Sequence, residues 1–252
     1  MTLQTNMYGV VHKKTPREIV LLNTVGGCSW HRCAFCEYCD TYSKTALEAE
    51  KQNKQVLDKV KGEYAVLQVM CSASFAELPM ATWYDIRSKC WEKGIETLIV
   101  EMHWIHRDSN LRISEFFENN ANPINVQFIY GIETFDFRRR ETEWFKGYGN
   151  ISANDLKQYA DSVNLLIGVK GQTMKDIEND IKIAYDNFAC IYINVFEPND
   201  TPIERDWELM EEFYNSLLFF KFKDDSRVEI LDGLDKRAPD NLGFVGVGPN
   251  YQ

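Results

Sequence analysis

Short apolar segments alternate with amphipathic segments along most of this 252-residue chain, and no other feature constrains its fold as strongly. Six segments rich in β-branched and aliphatic residues predict strands, at 19–22, 65–69, 97–100, 126–129, 164–167 and 191–195. Apolar residues at helical spacing predict helices between them, at 47–60, 83–91, 113–119, 156–160 and 174–188. The β-α order is therefore repeated, which predicts an α/β fold.

The predicted strands are continuous apolar runs separated by helices, so they are expected to pair in parallel through right-handed crossovers. An open doubly wound sheet and a complete or partial β/α barrel both satisfy this order, and in either fold the site lies at the carboxyl ends of the strands. A helical pattern at 207–222 and a short run at 227–231 follow the last strand. Because no linker or repeat marks a boundary, we expect one domain, 1–252, with a core at about 16–201 and a closing segment at about 202–252.

The charge balance is acidic, with 38 Asp and Glu against 28 Lys and Arg. Proteins that follow a nucleic-acid backbone need concentrated positive charge, so we expect a small-molecule substrate and no direct nucleic-acid binding. The run Arg138-Arg139-Arg140, followed by acidic residues, is expected on a solvated, ion-paired helix face. The sequence contains no apolar run of membrane-spanning length and no signal-peptide pattern, so no membrane partner and a cytoplasmic location are expected.

Four of the seven cysteines lie within twelve residues directly after the first predicted strand: Cys28, Cys33, Cys36 and Cys39. Thiolates at this density bind zinc or an iron-sulfur cluster, and a zinc site with four ligands is open if Cys39 or His31 supplies the fourth. The pair His103-x2-His106 has no carboxylates at ligand spacing and is expected in a substrate pocket or at the surface. The other three cysteines are expected to be structural: Cys71, Cys90 and Cys190.

Segments at the ends of the later strands carry further motifs. Cys71-Ser72-Ala73-Ser74-Phe75 follows the second strand, and Tyr130-Gly131-Ile132-Glu133-Thr134 follows the fourth. Leu166-Ile167-Gly168-Val169-Lys170-Gly171-Gln172-Thr173 follows the fifth, and Asn194-Val195-Phe196-Glu197-Pro198 ends the sixth. Together with the cysteine loop, these segments resemble the radical S-adenosylmethionine (SAM) superfamily from the first strand to about residue 201. The resemblance implies a partial (β/α)6 TIM-like barrel of the radical SAM type.

The resemblance also implies a 4Fe-4S cluster held by three cysteines, with one iron open to SAM. The usual spacing in the family is Cys-x3-Cys-x2-Cys, whereas this chain has Cys28-x4-Cys33-x2-Cys36. We favour these three as ligands, although Cys33, Cys36 and Cys39 are an arithmetical alternative. Lys170 stands where the family has proline. The residues that the resemblance places at SAM are Phe35, Tyr38, Ser72, Ser74, Glu133 and Gly168.

Within the superfamily, the compact chain and its long first cysteine gap are similar to the queuine lyases. That similarity implies cleavage of queuine or a related deazapurine to release preQ1 through a 5'-deoxyadenosyl radical, with an electron donor such as flavodoxin or ferredoxin. The residues expected to bind the substrate or act on it are Glu101, Asn194, Asp232 and Tyr130. For Asp232 a plain Asp-Gly turn is an equal alternative. The other functional hypotheses are a small radical SAM enzyme with an unrelated substrate and a zinc-binding module without catalysis.

Overall fold

The computed structural model of the protein describes residues 7–38, 42–118 and 121–240. Eight strands lie within these ranges: β1 Met7–Val11, β2 Arg17–Leu22, β3 Val66–Cys71, β4 Thr97–Met102, β5 Asn125–Glu133, β6 Ser162–Ile167, β7 Cys190–Val195 and β8 Val228–Leu231. Seven α-helices lie within them: α1 Ala46–Leu57, α2 Met80–Lys93, α3 Asn110–Glu118, α4 Ala153–Leu156, α5 Met174–Asn187, α6 Trp207–Tyr214 and α7 Leu217–Phe222. The six predicted strands and the β-α order are therefore confirmed. Cys39 lies outside the described residues.

All the predicted helices differ in bounds from the structure by at least one residue, and two of them differ most. The helix predicted at 156–160 is α4, which begins earlier because the Ser152 hydroxyl accepts from the Asp155 amide and the Asp155 carboxylate accepts from the Ser152 amide. The helix predicted at 207–222 is divided into α6 and α7. The break falls between Tyr214 and Leu217, where the Ser216 side chain accepts from the Phe219 amide and caps the start of α7.

The chain folds into two compact units, of which the first contains residues 7–31, 37–38, 42–118 and 121–128. In this unit β2, β3 and β4 pair in parallel, with Leu21 opposite Met70 and Leu67 opposite Leu98. The added strand β1 pairs antiparallel with β2, as two strands joined by a short loop must do. The β2 side chains are all buried, which agrees with a strand covered on both faces.

The second unit contains residues 32–36 and 129–240. The end of β5 pairs in parallel with β6, β6 with β7, and β7 with β8. The helix α5 begins at a capping box in which Thr173 and Asp176 accept from each other's backbone amides. The prediction that residues 1–252 form one domain stays a prediction. No helix of the described ranges has the length and apolar character needed to cross a membrane.

Parallel strands place their carboxyl ends at one edge of a sheet, which makes the segments after those ends the natural site. In the first unit these segments follow β2, β3 and β4, and in the second they follow β5, β6, β7 and β8. The cysteine-rich loop follows β2 directly. The fold therefore locates the motifs named above where a ligand site is expected in each unit.

Candidate active site

The cysteine-rich loop leaves β2 through a short backbone pairing. The Ser43 amide donates to the Thr24 carbonyl at 3.0 Å, and the Gly26 amide donates to the Ser43 carbonyl at 3.3 Å. Gly26 and Gly27 then turn the chain with φ values of 78° and 79°, which a side chain strongly disfavours. Cys28 follows this turn and is partly exposed.

In the first unit, Glu77 binds the residue that follows Cys28. Its Oε1 accepts from the Ser29 amide at 2.8 Å, and its Oε2 accepts from the Ser74 amide at 2.9 Å. The Nε2 atom of His106 lies 3.4 Å from the same Oε2 and 3.1 Å from the Ser29 hydroxyl. Burial by itself would raise the pKa of Glu77, but the hydrogen bonds from His106, Ser74 and Ser29 lower it to about 2. Glu77 is thus an ionised anchor for the start of the loop.

The turn after β3 contains the two serines predicted at SAM. Ser74 is fully buried, and its hydroxyl donates to the Met102 sulfur at 3.5 Å and accepts from the His103 amide at 3.3 Å. The Ser72 hydroxyl lies 3.5 Å from the Thr24 hydroxyl. These bonds attach the turn to its neighbours, and the predicted contacts of both serines with SAM stay predictions.

Glu101 lies in the last part of β4 and is partly buried. Burial raises the pKa of the Cys71 thiol, and the charges of Glu101 and Glu77 raise it further, so Cys71 is a neutral thiol as expected for a structural cysteine. Trp30 stacks on His103 with 5.6 Å between ring centroids. The electrostatic effect of Glu101 and Glu77 on Cys71 places both carboxylates near the end of β3.

In the second unit, the centre of the cysteine loop is held by three contacts. The Ala34 amide donates to the Trp144 carbonyl at 3.0 Å, and the Phe35 ring packs edge-on against Trp144 at 5.6 Å. The Asn199 amide nitrogen donates to the Phe35 carbonyl at 2.9 Å. The Cys36 amide donates to the Cys33 carbonyl at 3.2 Å, so these two cysteines share a tight turn. The predicted SAM residue Phe35 is therefore in an ordered position.

A buried ion pair lies at the end of β5. Glu133 accepts from the Lys146 ammonium at 2.8 Å, next to a shift in strand register between Gly131 and Glu133. Burial alone would lower the pKa of Lys146, but the negative charges of Glu133 and Cys33 raise it. A Cβ at Gly131 would lie 2.7 Å from the Glu133 Oε1 atom and 3.3 Å from the Lys146 nitrogen. The Glu133–Lys146 ion pair therefore has room in this position because Gly131 has no side chain.

Lys146 is a site residue that the sequence motifs did not indicate. It follows an irregular segment that includes a π-helix at Arg139–Glu143, a rare element that is often found at functional sites. The prediction of a solvated face is wrong for Arg140, which is buried and donates to the Thr134 and Gly149 carbonyls. It is right for Arg138, whose exposed side chain pairs with Glu143.

Two predicted aromatic site residues have contrasting exposure. Tyr130 of β5 is fully buried, whereas Tyr38 is exposed at 39 %. The predicted contacts of both residues stay predictions.

The run after β6 is held by a short antiparallel segment. The Asp206 amide donates to the Gly168 carbonyl at 2.7 Å, and the Lys170 amide donates to the Glu204 carbonyl at 2.9 Å. Lys170 and Glu204 also form a side-chain ion pair. The proline that the family has at this position lacks an amide hydrogen and could not donate to the Glu204 carbonyl, so Lys170 adds a backbone hydrogen bond. Gly168 has φ 79° and a Cβ there would lie 2.7 Å from the Met210 sulfur, so glycine is required.

Asp232 follows β8 as predicted, but its carboxylate is fully engaged. Arg205 donates to both oxygens, at 3.1 and 2.6 Å, while the Tyr214 hydroxyl and the Leu234 amide donate at 2.8 and 3.0 Å. The bond from the Leu234 amide closes the Asp-Gly turn that is the alternative interpretation of Asp232.

In contrast, Asn194 near the end of β7 is partly buried, and its side chain makes no hydrogen bond within the described residues. The geometry therefore leaves Asn194 available to a ligand.

Asp180 of α5 lies behind the end of β5 and accepts from the Phe135 amide at 2.7 Å. Burial raises its pKa to about 6, and the charges of Asp176 and Asp136 act in the same direction. A carboxyl whose pKa is raised by folding stabilises the fold while protonated and loses that contribution as the pH rises through 6. Asp180→Asn is expected to increase the free energy of unfolding at pH 8 by at most about 3 kcal/mol.

Denaturant unfolding of wild type and Asp180→Asn between pH 5 and 8 measures this effect. The exposed Asp186 on the same helix provides the matched control, since Asp186→Asn leaves the buried carboxyl in place. The gain from Asp180→Asn should grow with pH. A gain that is the same at pH 5 and pH 8 would contradict the assignment.

The metal-binding potential of the site rests on its thiols. Cys28, Cys33 and Cys36 are all partly exposed, and thiolates are the ligands of iron-sulfur clusters. Within residues 7–38, 42–118 and 121–240, no three His, Cys, Asp or Glu side chains form a metal-binding group. The donor chemistry fits a cluster, and the shared turn of Cys33 and Cys36 places two donors on one short segment.

Comparison with known proteins gives a clear relative. No family profile and no curated protein matches the chain. Among solved structures, queuine lyase from Clostridium spiroforme bound to SAM and queuine is 31% identical, with a TM-score of 0.84 over 94% of this chain and 100% of that one. Methylornithine synthase is 15% identical, with a TM-score of 0.58 over 83% of this chain and 64% of that one, which supports the fold alone.

The first relative decides the family, because its identity and coverage extend over nearly the whole chain. Its likeness also confirms the predicted fold class, which the second relative shares at lower identity. The chain therefore belongs to the radical SAM superfamily and, within it, to the family of the queuine lyases.

Proposed function

We propose that this protein is a radical SAM lyase that removes the cyclopentenediol from queuine and releases preQ1 (7-aminomethyl-7-deazaguanine). The observation that carries the proposal is the 31% identity to a queuine lyase bound to SAM and queuine, over all of that chain. Release of preQ1 gives the reaction a place in queuosine salvage. The bond that breaks joins the cyclopentenediol ring to the secondary amine.

Cys28, Cys33 and Cys36 would hold a 4Fe-4S cluster. The cluster and SAM, when bound, would supply a 5'-deoxyadenosyl radical for abstraction of a hydrogen atom from the substrate. The partial exposure of the three thiols and the tight turn between Cys33 and Cys36 support this ligand set. Lys146 interacts electrostatically with Cys33, so a positive charge stands near one of the proposed ligands.

The chain's own residues would position SAM. Gly168 would contact SAM through its backbone, whose carbonyl is fixed by the Asp206 amide. Phe35 presents an apolar ring that is held by Trp144, and Glu133 presents a carboxylate that is held by Lys146. Ser72, Ser74 and Tyr38 complete the proposed SAM contacts.

Substrate contacts are proposed for Glu101, Asn194 and Tyr130. A deazaguanine presents donors at its N1 and amino group, which carboxylate or amide oxygens accept. The Asn194 amide, with no side-chain hydrogen bond of its own within the described part, fits this role. We leave Asp232 out of the substrate contacts, since four donors already occupy its two oxygens. A flavodoxin or ferredoxin as electron donor, no direct nucleic-acid binding and a cytoplasmic location complete the proposal.

Mass spectrometry of an anaerobic reaction tests the function. The reaction contains reconstituted protein, SAM, dithionite and queuine, and the expected products are 5'-deoxyadenosine and preQ1. Reactions without SAM and with guanine instead of queuine are the controls, because guanine lacks the cyclopentenediol.

Each outcome has a distinct meaning. Both products, dependent on protein and SAM, would support the lyase function. Deoxyadenosine without preQ1 would keep SAM cleavage and remove queuine as the substrate. Neither product from an iron-loaded sample would overturn the proposal.

A further inference from the structure

The centre of the cysteine loop is attached to the second unit by groups from two distant segments. These are Trp144 and Lys146 from one segment and Asn199 from the other, and we call the three residues the loop clamp. The Trp144 carbonyl accepts from the Ala34 amide, and the Asn199 side chain donates to the Phe35 carbonyl. The Lys146 ammonium lies 5.4 Å from the centre of the Phe35 ring. Two neighbouring backbone groups and one ring are therefore fixed together.

The clamp rests on a rigid base. Trp144 is fully buried in an apolar cluster with Leu166, Val169 and Phe196, against which Phe35 packs. The π-helix before Trp144 is anchored by buried Arg140, which donates to two backbone carbonyls. A carbonyl held in this way has little freedom to follow a moving loop. The hydrogen bond to the Trp144 carbonyl therefore holds Ala34 in a fixed position relative to this apolar cluster.

The Asn199 amide has a defined orientation. Its oxygen accepts from the Thr201 amide at 3.1 Å and from the Thr201 hydroxyl at 2.6 Å. Because both donors face the oxygen, the nitrogen must face the Phe35 carbonyl. The amide is thus a fixed donor to the loop.

We propose that Asn199 is a positioning residue that holds segment 33–36 in its cluster-binding conformation before the cluster is assembled. Ala34 and Phe35 are the two residues between Cys33 and Cys36, so fixing them fixes the backbone from which both thiols project. The loop needs this support because its first cysteine gap is one residue longer than usual and His31 within it has a strained φ of 44°. The inference rests on the proposed function, since it assumes that these cysteines bind the cluster.

Hydrogen exchange of the full chain without metal tests the clamp directly. Asn199→Asp keeps the size of the side chain but replaces the donor by an acceptor that repels the Phe35 carbonyl. Opening of the segment should become easier, so exchange in peptides covering 33–36 should accelerate about fivefold. Asn199→Ala, which adds no charge, should give the same direction of change.

Asn215→Asp is the matched control. The Asn215 side chain also donates to a backbone carbonyl, that of Glu211 at 2.9 Å, but it lies on the exposed end of α6. This variant should exchange like wild type at 33–36. Equal exchange in wild type, Asn199→Asp and Asn199→Ala would overturn the proposal.

The reconstituted proteins provide a second readout. Asn199→Asp should bind less iron and should show an altered electron paramagnetic resonance signal of the reduced cluster, whereas Asn215→Asp should match wild type. Wild type that binds no 4Fe-4S cluster would contradict the proposed function. If wild type has a normal cluster and Asn199→Asp matches it in iron content and spectrum, the result contradicts the role of Asn199 and leaves the proposed function in place.

Discussion

Replacing Cys33 or Cys36 by alanine is expected to abolish both iron binding and the formation of preQ1. Both alternative ligand sets contain these two cysteines, and removal of one thiolate leaves a cluster with too few protein ligands. The measurements are the iron content after anaerobic reconstitution, the absorbance at about 400 nm that marks an iron-sulfur cluster, and the two reaction products. Retention of a full cluster by either variant would contradict the assignment.

The other two loop cysteines distinguish the ligand sets. If Cys28 is the third ligand, Cys28→Ala should lose the cluster and Cys39→Ala should keep it. The reverse result would establish the alternative set with Cys39. Cys190→Ala, a change at the start of β7, is the control for general effects of losing a cysteine.

Removal of the Asp232 carboxylate is expected to cost about 3–5 kcal/mol of the free energy of unfolding, because it leaves a buried guanidinium without a counter-charge. Arg205 and Asp232 are almost completely inaccessible, with side-chain exposures of 1% and 0%. Arg205 also donates to the Phe196 carbonyl, so Asp232→Ala should loosen the segment after β7. Denaturant unfolding followed by circular dichroism measures the loss.

A nearby pair serves as the control. Asp235 and Arg237 form a similar ion pair on the surface, and exposed pairs contribute about 0–1 kcal/mol, so Asp235→Ala should be almost neutral. Replacing both buried partners, by Arg205→Met and Asp232→Leu, should restore part of the stability. If Asp232→Ala unfolds like wild type but raises the KM for queuine, Asp232 is a substrate contact and its exclusion above is wrong.

Periodicity and strand-end motifs predicted the elements that depend on local sequence. The six strands need only apolar runs, and the cysteine loop and Glu133 stand at fixed offsets from them. The strand β1 was missed because it pairs antiparallel with β2 and lies outside the β-α alternation. The early start of α4 was missed although Ser152 and Asp155 have the capping-box spacing, which is a signal that could have located it.

The remaining site residues could not be predicted because their partners are distant in the chain. Asn199 reaches a carbonyl 164 residues away, and no pattern around it indicates that contact. Lys146 and Trp144 follow an irregular segment whose shape depends on buried Arg140, and a run of three arginines is more typical of a surface. The position of Asp232 was predictable, but its partner is Arg205, 27 residues earlier, and only tertiary structure shows that pairing.

The close approach at Gly131 also bears on how this sequence can evolve. The oxygen of Glu133 occupies the space of the smallest possible side chain there, so even alanine, one nucleotide change from glycine, displaces the ion pair. Gly149 has a left-handed φ of 68° but open space around its missing Cβ, so asparagine is a tolerable replacement. A substitution at position 131 therefore requires the ion pair to move, whereas a substitution at position 149 is limited by backbone preference.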